Sequence, residues 1–256
     1  MMRGSMKPVP LALALFILLT PPAVSAAPSP FDSPLRTVRV PLPKDADNPQ
    51  AKPKVTCAYY PGFMVKEVDL GEVGAAQLSI LSTLGSASKP PCRRENLPGE
   101  HVVSPDDWSG YFDGTKGDYV VFTADDGWNG GMGFAVFSAR TGRKLFDDAL
   151  LGPFRLVSEG PNGLILRYRR VYAAKCSLRA DLAGCWRQVT RDTSLSGPAP
   201  DCGAAYAREA RRTPKFARQV RDDPTVVDYE VEATIIAGKS AIKPVAGKAA
   251  ACRPAD

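Results

Sequence analysis

Residues 125–131, Asp125-Asp126-Gly127-Trp128-Asn129-Gly130-Gly131, gather two carboxylates, an indole, a carboxamide and three glycines in one short stretch. An indole offers a flat apolar face on which a sugar ring can stack, and the carboxylates and amide can hold its hydroxyls. The glycines let the backbone approach a ligand closely. On these grounds Asp125, Asp126, Trp128 and Asn129 are the expected ligand-binding residues. The competing reading is a loop whose tryptophan packs on a sheet while its aspartates cap turns. Calcium is a weaker alternative, because an EF-hand needs an oxygen ligand at its third position and Glu at its twelfth, where this chain has Gly127 and Val136. No metal site is assigned, and no cofactor is implied.

Trp108 extends the candidate region. It sits in Asp106-Asp107-Trp108-Ser109-Gly110-Tyr111-Phe112-Asp113, one expected strand before the first cluster. Aspartates from the two Trp-containing segments could serve as the paired carboxylates of a glycoside hydrolase. Against that, segments leaving opposite ends of a six-residue strand stand about 20 Å apart at about 3.3 Å per residue.

Several chemistries are set aside. The chain has one histidine, His101, expected in a loop, so a His-rich metal centre is excluded and a Ser-His-Asp triad has a single possible base. It has no G-x-S-x-G elbow, P-loop or G-x-G-x-x-G fingerprint. Ser86-Ala87-Ser88-Lys89 matches S-x-x-K, but Pro90-Pro91 forbids the helix that must carry such a pair. No C-x-x-C occurs, which argues against thiol–disulfide exchange. No catalytic residue is assigned.

The six cysteines, Cys57, Cys92, Cys176, Cys185, Cys202 and Cys252, are even in number. They follow an N-terminal segment that reads as an export signal: Arg3 and Lys7, an apolar run over residues 9–19, and small residues ending at Ala26. Residues 1–26 are therefore expected to be cleaved, leaving a periplasmic or secreted chain without a transmembrane segment. Disulfides are the default in such a compartment. Short loops favour neighbours, so the expected pairs are Cys57 with Cys92, Cys176 with Cys185, and Cys202 with Cys252.

The formal charge of the whole chain is +6. Removing Arg3 and Lys7 lowers the excess further, well short of the basic stripe that nucleic acid requires. Arg208, Arg211, Arg212, Lys215, Arg218 and Arg221 recur at intervals of three and four, a spacing that makes one positive helix face suited to an anionic surface.

The elements that must position these groups read mostly as strands. Residues 27–54 form a Pro-rich leader in which only 35–42 alternates. Strands are expected over 55–60 and 63–70 about Pro61-Gly62, over 77–84, over 119–124, over 134–139 and 144–147 about Arg140-Thr141-Gly142, over 154–158 and 164–173 about Pro161-Asn162-Gly163, and over 226–237. Residues 125–133 are expected as a Gly-rich loop. Two short helices are expected, over 202–212 and from Pro214 to 220. Residues 238–256 are low in complexity and expected loose except at Cys252.

The stretch from Gly133 to Asp148, with Phe134-Ala135-Val136-Phe137-Ser138-Ala139-Arg140-Thr141-Gly142, resembles one strand-turn-strand edge of a quinoprotein-type β-propeller blade. A propeller would repeat the pattern, and no second copy is found. The expected fold is therefore mainly antiparallel β, a sheet or sandwich-like pair in residues 55–237, with a small β-propeller-like fold as the alternative. The expected role is non-catalytic binding or structure in the cell envelope, with an envelope glycan or an anionic surface as partner. A hydrolase on an envelope polymer is the alternative.

Overall fold

The computed structural model describes residues 29–84, 89–160 and 163–255. The expected signal segment, the S-x-x-K serines and the Pro161-Asn162 turn lie outside the described residues.

Two antiparallel sheets make up the fold. The smaller runs in sequence order through β1 (Arg36–Pro41), β2 (Lys54–Tyr60), β3 (Phe63–Asp69), β4 (Gln77–Ser82) and β5 (Glu100–Val102). β2 and β3 at its centre are covered on both faces, so most of their residues are buried, Lys66 included. Val55, Cys57, Met64 and Val68 pack outward beneath Leu42, Cys92 and Leu97. Tyr60, Phe63, Val65 and Ile80 pack inward against Val120, Phe122, Ala135 and Phe137 of the larger sheet. The outer cover is fastened by the Cys57–Cys92 disulfide and by a buried ion pair, Lys66 Nζ to Glu100 Oε1 at 2.6 Å.

The larger sheet contains β6 (Tyr111–Lys116), β7 (Tyr119–Trp128), β8 (Gly131–Ser138), β9 (Lys144–Gly160), β10 (Gly163–Ala173) and β11 (Thr225–Ile235), each paired to the next. β12 (Ala241–Pro244) and β13 (Ala251–Pro254) pair with successive stretches of β11. One half of this sheet faces the smaller sheet. Its opposite face, with Phe134, Leu164, Leu166, Tyr168, Val227 and Tyr229, is covered by α1 (Leu182–Thr193) and α2 (Gly203–Arg212). Beneath the helices Arg170 donates to Asp148 (Nε to Oδ1, 3.0 Å) and to the Tyr229 hydroxyl (3.1 Å), and Tyr168 donates to Asp148. Burial, reinforced by the Asp148 charge, pushes the Tyr168 hydroxyl well above the ordinary tyrosine range.

The mainly β expectation holds, as two sheets; among the described residues no propeller is formed. The three disulfides, Cys57–Cys92, Cys176–Cys185 and Cys202–Cys252, have the nearest-neighbour pairing. Their presence fits an oxidising, extracytoplasmic environment.

Other expectations are corrected. The helix expected from Pro214 to 220 is a single 3₁₀ turn, Pro214–Phe216, entered from Thr213 at φ −119 and ψ 62; beyond it Gln219 N–H and Val220 N–H both bond to Phe216 O and the chain goes on as turns. The longer helix, α1, lies where none was placed; Asp181 caps it by accepting from Gly184 N at 2.9 Å. Strands expected separately over 144–147 and 154–158 are one bent strand, β9, whose pairing with β10 shifts register around Gly152-Pro153. There the missing N–H of proline costs no ladder bond. Residues 238–256, expected loose, supply β12 and β13. His101 lies in β5, not in a loop, and its ring abuts Gly142 so closely that a Cβ there would sit 2.2 Å from Cγ.

Candidate functional site

The expected Gly-rich loop over 125–133 does not exist as a loop. β7 runs on to Trp128 and β8 begins at Gly131, so Asn129 and Gly130 are the two residues of a tight hairpin turn. Both have positive φ, 50° and 68°, the backbone that closes such hairpins with the twist of their strands. Asn-Gly is the dipeptide that adopts it most readily. The register between β7 and β8 breaks between Thr123 and Gly127, and Asp125 and Asp126 sit in that irregularity.

The break separates the two aspartates. Asp125 turns toward the 71–76 segment, where a Cβ on Gly74 would lie 2.8 Å from its Oδ2. Asp126 is exposed and its Oδ1 accepts from Gly127 N at 2.7 Å. Asn129 is buried and shapes the turn.

Trp128 stands out. Its surface is 69% exposed at the tip of the hairpin, an unusual place for the largest apolar side chain in the chain's repertoire. It pairs with Gly131, and directly opposed residues share a face. That face is fixed by Val171 of β10, whose Cγ2 would touch a Cβ on Gly131 at 2.8 Å. Two residues along β8, the bare backbone of Gly133 is covered by Trp108, whose Cη2 would lie 3.2 Å from a Cβ there.

The two tryptophans are thus brought to one face of the β7–β8 ribbon. Their anchor points, Gly131 and Gly133, are about 7 Å apart at about 3.3 Å per residue. The expected 20 Å separation does not arise, because β6 runs antiparallel to β7 with Tyr111 opposite Thr123, so the segment before β6 emerges at the same end of the sheet as Trp128. Trp108 is partly buried in the core between the sheets, with its backbone N–H held by Ser104 O at 3.0 Å. It is a wall of the site; Trp128 is the exposed platform.

The chain matches no family model, no curated protein and no solved structure in these comparisons.

Beyond Val171 the same face carries an ionic cluster that the sequence did not reveal. Val171 pairs with Asp228 of β11, whose side chain is only 6% exposed. Arg169 donates to Asp228 Oδ2, and Arg253 Nη1 donates to Asp228 Oδ1 at 2.9 Å. Arg253 Nη2 also donates to the carbonyl oxygen of Asn129. Two guanidinium groups around one carboxylate leave this end of the face with one net positive charge. Arg253 follows Cys252 in the segment read as loose, so only its proximity to a disulfide hinted that it would be held in place.

Among the described residues no three His, Cys, Asp or Glu side chains gather as metal ligands.

Proposed function

We propose that this chain is exported and cleaved after Ala26, and that it binds an envelope glycan non-catalytically through Trp128. The observation that carries the reading is the indole, held rigidly at a two-residue turn and left 69% open to solvent. Stacking a pyranose ring on that face would remove apolar surface from water on both partners. Asp126, exposed beside it, and the outward edge of Arg253 supply acceptors and donors for hydroxyls. Val171 and Trp108 bound the floor.

Binding without turnover is the better account of the carboxylates. Hydrolysis needs two of them facing each other about 5–10 Å apart across the bond to be cut. Asp125 instead contacts the 71–76 segment, and Asp126 is bonded to its own strand.

The test is isothermal titration of the mature chain with oligomers of N-acetylglucosamine and with solubilised peptidoglycan fragments. Wild type binds with heat and Trp128→Ala loses at least tenfold in affinity, while incubation releases no new reducing ends. Equal affinity in the two proteins would place binding elsewhere, and steady release of reducing ends would make the chain a hydrolase.

A further inference from the structure

The corner where α2 ends carries a second surface, unrelated to the Trp128 face. Thr213 breaks the helix, and the following 3₁₀ turn turns Phe216 outward, 57% exposed. Near it in sequence Arg208, Arg211, Arg212, Lys215, Arg218 and Arg221 are all exposed, with Asp222 the exposed acid among them. Among the ion pairs at this corner, Arg212 meets Glu209 at 3.3 Å with the arginine still 74% exposed.

The corner is rigid from within. Val220 is buried, its N–H bonded to Phe216 O at 3.1 Å, and Phe216 N–H is bonded to Thr213 O at 2.9 Å. Ser177 Oγ donates to Arg221 O at 2.6 Å, and the Tyr206 hydroxyl donates to Asp223 O at 2.9 Å. Phe216 is therefore displayed by a fixed backbone. Beside it lies a shallow hollow of ≈ 210 Å³ with Ala207, Ala210 and Ala217 as its floor and Arg179 and Arg221 in its walls.

We infer that this corner docks on the surface of an anionic phospholipid bilayer, with Phe216 entering the interface, the exposed basic side chains meeting the headgroups and one headgroup phosphate seated between Arg179 and Arg221. An exposed aromatic side chain among basic residues is the pairing that peripheral membrane proteins use. A soluble polyanion would need the charges and not the phenyl ring. Among the described residues no helix is long and apolar enough to cross a membrane.

The test is co-sedimentation with phosphatidylcholine vesicles made with and without phosphatidylglycerol. The mature chain should sediment with the anionic vesicles and stay in solution with phosphatidylcholine alone, and raised salt should release it. Phe216→Ala should weaken partitioning about tenfold, Lys215→Glu with Arg218→Glu should abolish it, and Trp128→Ala should leave it unchanged. Matching circular dichroism melts would show that these surface variants remain folded. Sedimentation with neither vesicle would overturn the proposal, as would equal sedimentation with both. An unchanged Phe216→Ala whose binding is competed away by soluble polyphosphate would also overturn it, marking a polyanion site instead of a membrane one.

Discussion

Arg253 ties the last strand of the larger sheet to the turn beside Trp128: one guanidinium nitrogen holds Asp228 Oδ1 at 2.9 Å and the other holds the carbonyl oxygen of Asn129. The second contact joins residues 124 positions apart in sequence. The platform is thus positioned by the C-terminal edge of the protein as well as by its own hairpin.

Arg253→Ala should release both contacts and leave the nearly buried Asp228 with Arg169 as its remaining guanidinium partner. Loss of one partner from such a pair costs about 2 kcal/mol or more. Urea unfolding should show that loss, and glycan affinity at Trp128 should fall although Arg253 is not the stacking residue. A variant with unchanged stability would show that the contact is not made in solution.

Gly130→Ala tests the turn itself. Gly130 has φ +68°, and an added Cβ would stand 2.9 Å from Arg253 Nη2. The positive φ costs an alanine about 1–2 kcal/mol before any crowding. A fall in melting temperature is expected, with Gly152→Ala as a comparison in which φ is also positive but nothing lies within 4 Å of the added carbon. The larger fall belongs to Gly130→Ala; equal falls would mean that Arg253 does not pack there.

The Cys202–Cys252 disulfide spans 50 residues and joins the start of α2 to β13. Replacing both cysteines by serine should cost about 2–5 kcal/mol. Because Arg253 is the next residue, hydrogen exchange should accelerate at Asn129–Gly131 as well as in β13. Acceleration confined to β13 would break the proposed connection.

Two glutamates should give opposite pH signatures. Burial alone would raise the Glu100 carboxyl. The Lys66 ammonium at 2.6 Å, the Ser79 hydroxyl and the Leu97 N–H at 2.7 Å outweigh it and hold the carboxyl below its ordinary 4.5. A depressed carboxyl contributes stability that is complete above its unfolded value and is lost as pH falls through its folded value. Glu67 is pushed the other way, by burial first and by Asp69, against the Phe112 N–H and Lys54. The folded state therefore pays for its ionisation as pH rises above 4.5. Chemical denaturation against pH should show Glu100→Gln destabilised at neutral pH by about 3–5 kcal/mol, since Lys66 is left buried without a counter-charge. Glu67→Gln, which keeps an acceptor for Phe112 N–H at 2.8 Å, should be more stable than wild type at neutral pH and lose that advantage in acid. Both variants shifting in the same direction would contradict these assignments.

Local pattern made much of the fold legible. The runs around Pro61-Gly62 and the alternation of Val227, Tyr229, Val231, Ala233 and Ile235 read directly as β2, β3 and β11, because a side chain's face follows from its parity in a strand. The β7–β8 hairpin is masked because two aspartates and several glycines resemble a loop, although Asn129-Gly130 is itself a strong hairpin signal. Helix α1 is hidden by Gly184 and by Thr190 and Thr193, weak helix formers; its buried stripe is a single row of three residues, Cys185, Val189 and Thr193. Asp228, Arg169 and Arg253 were illegible as a cluster, since nothing local to any of them encodes a meeting across three strands.

The central claim is that Trp128 is the surface on which the ligand lands. The chain has three tryptophans, so a ¹⁵N-labelled protein gives three indole N–H signals. Titration with the best-binding glycan should shift the Trp128 signal strongly, the Trp108 signal less, and leave that of Trp186, which donates to Gly197 O at 3.0 Å on the helical side, in place. A titration in which Trp186 moves and Trp128 does not would contradict the account.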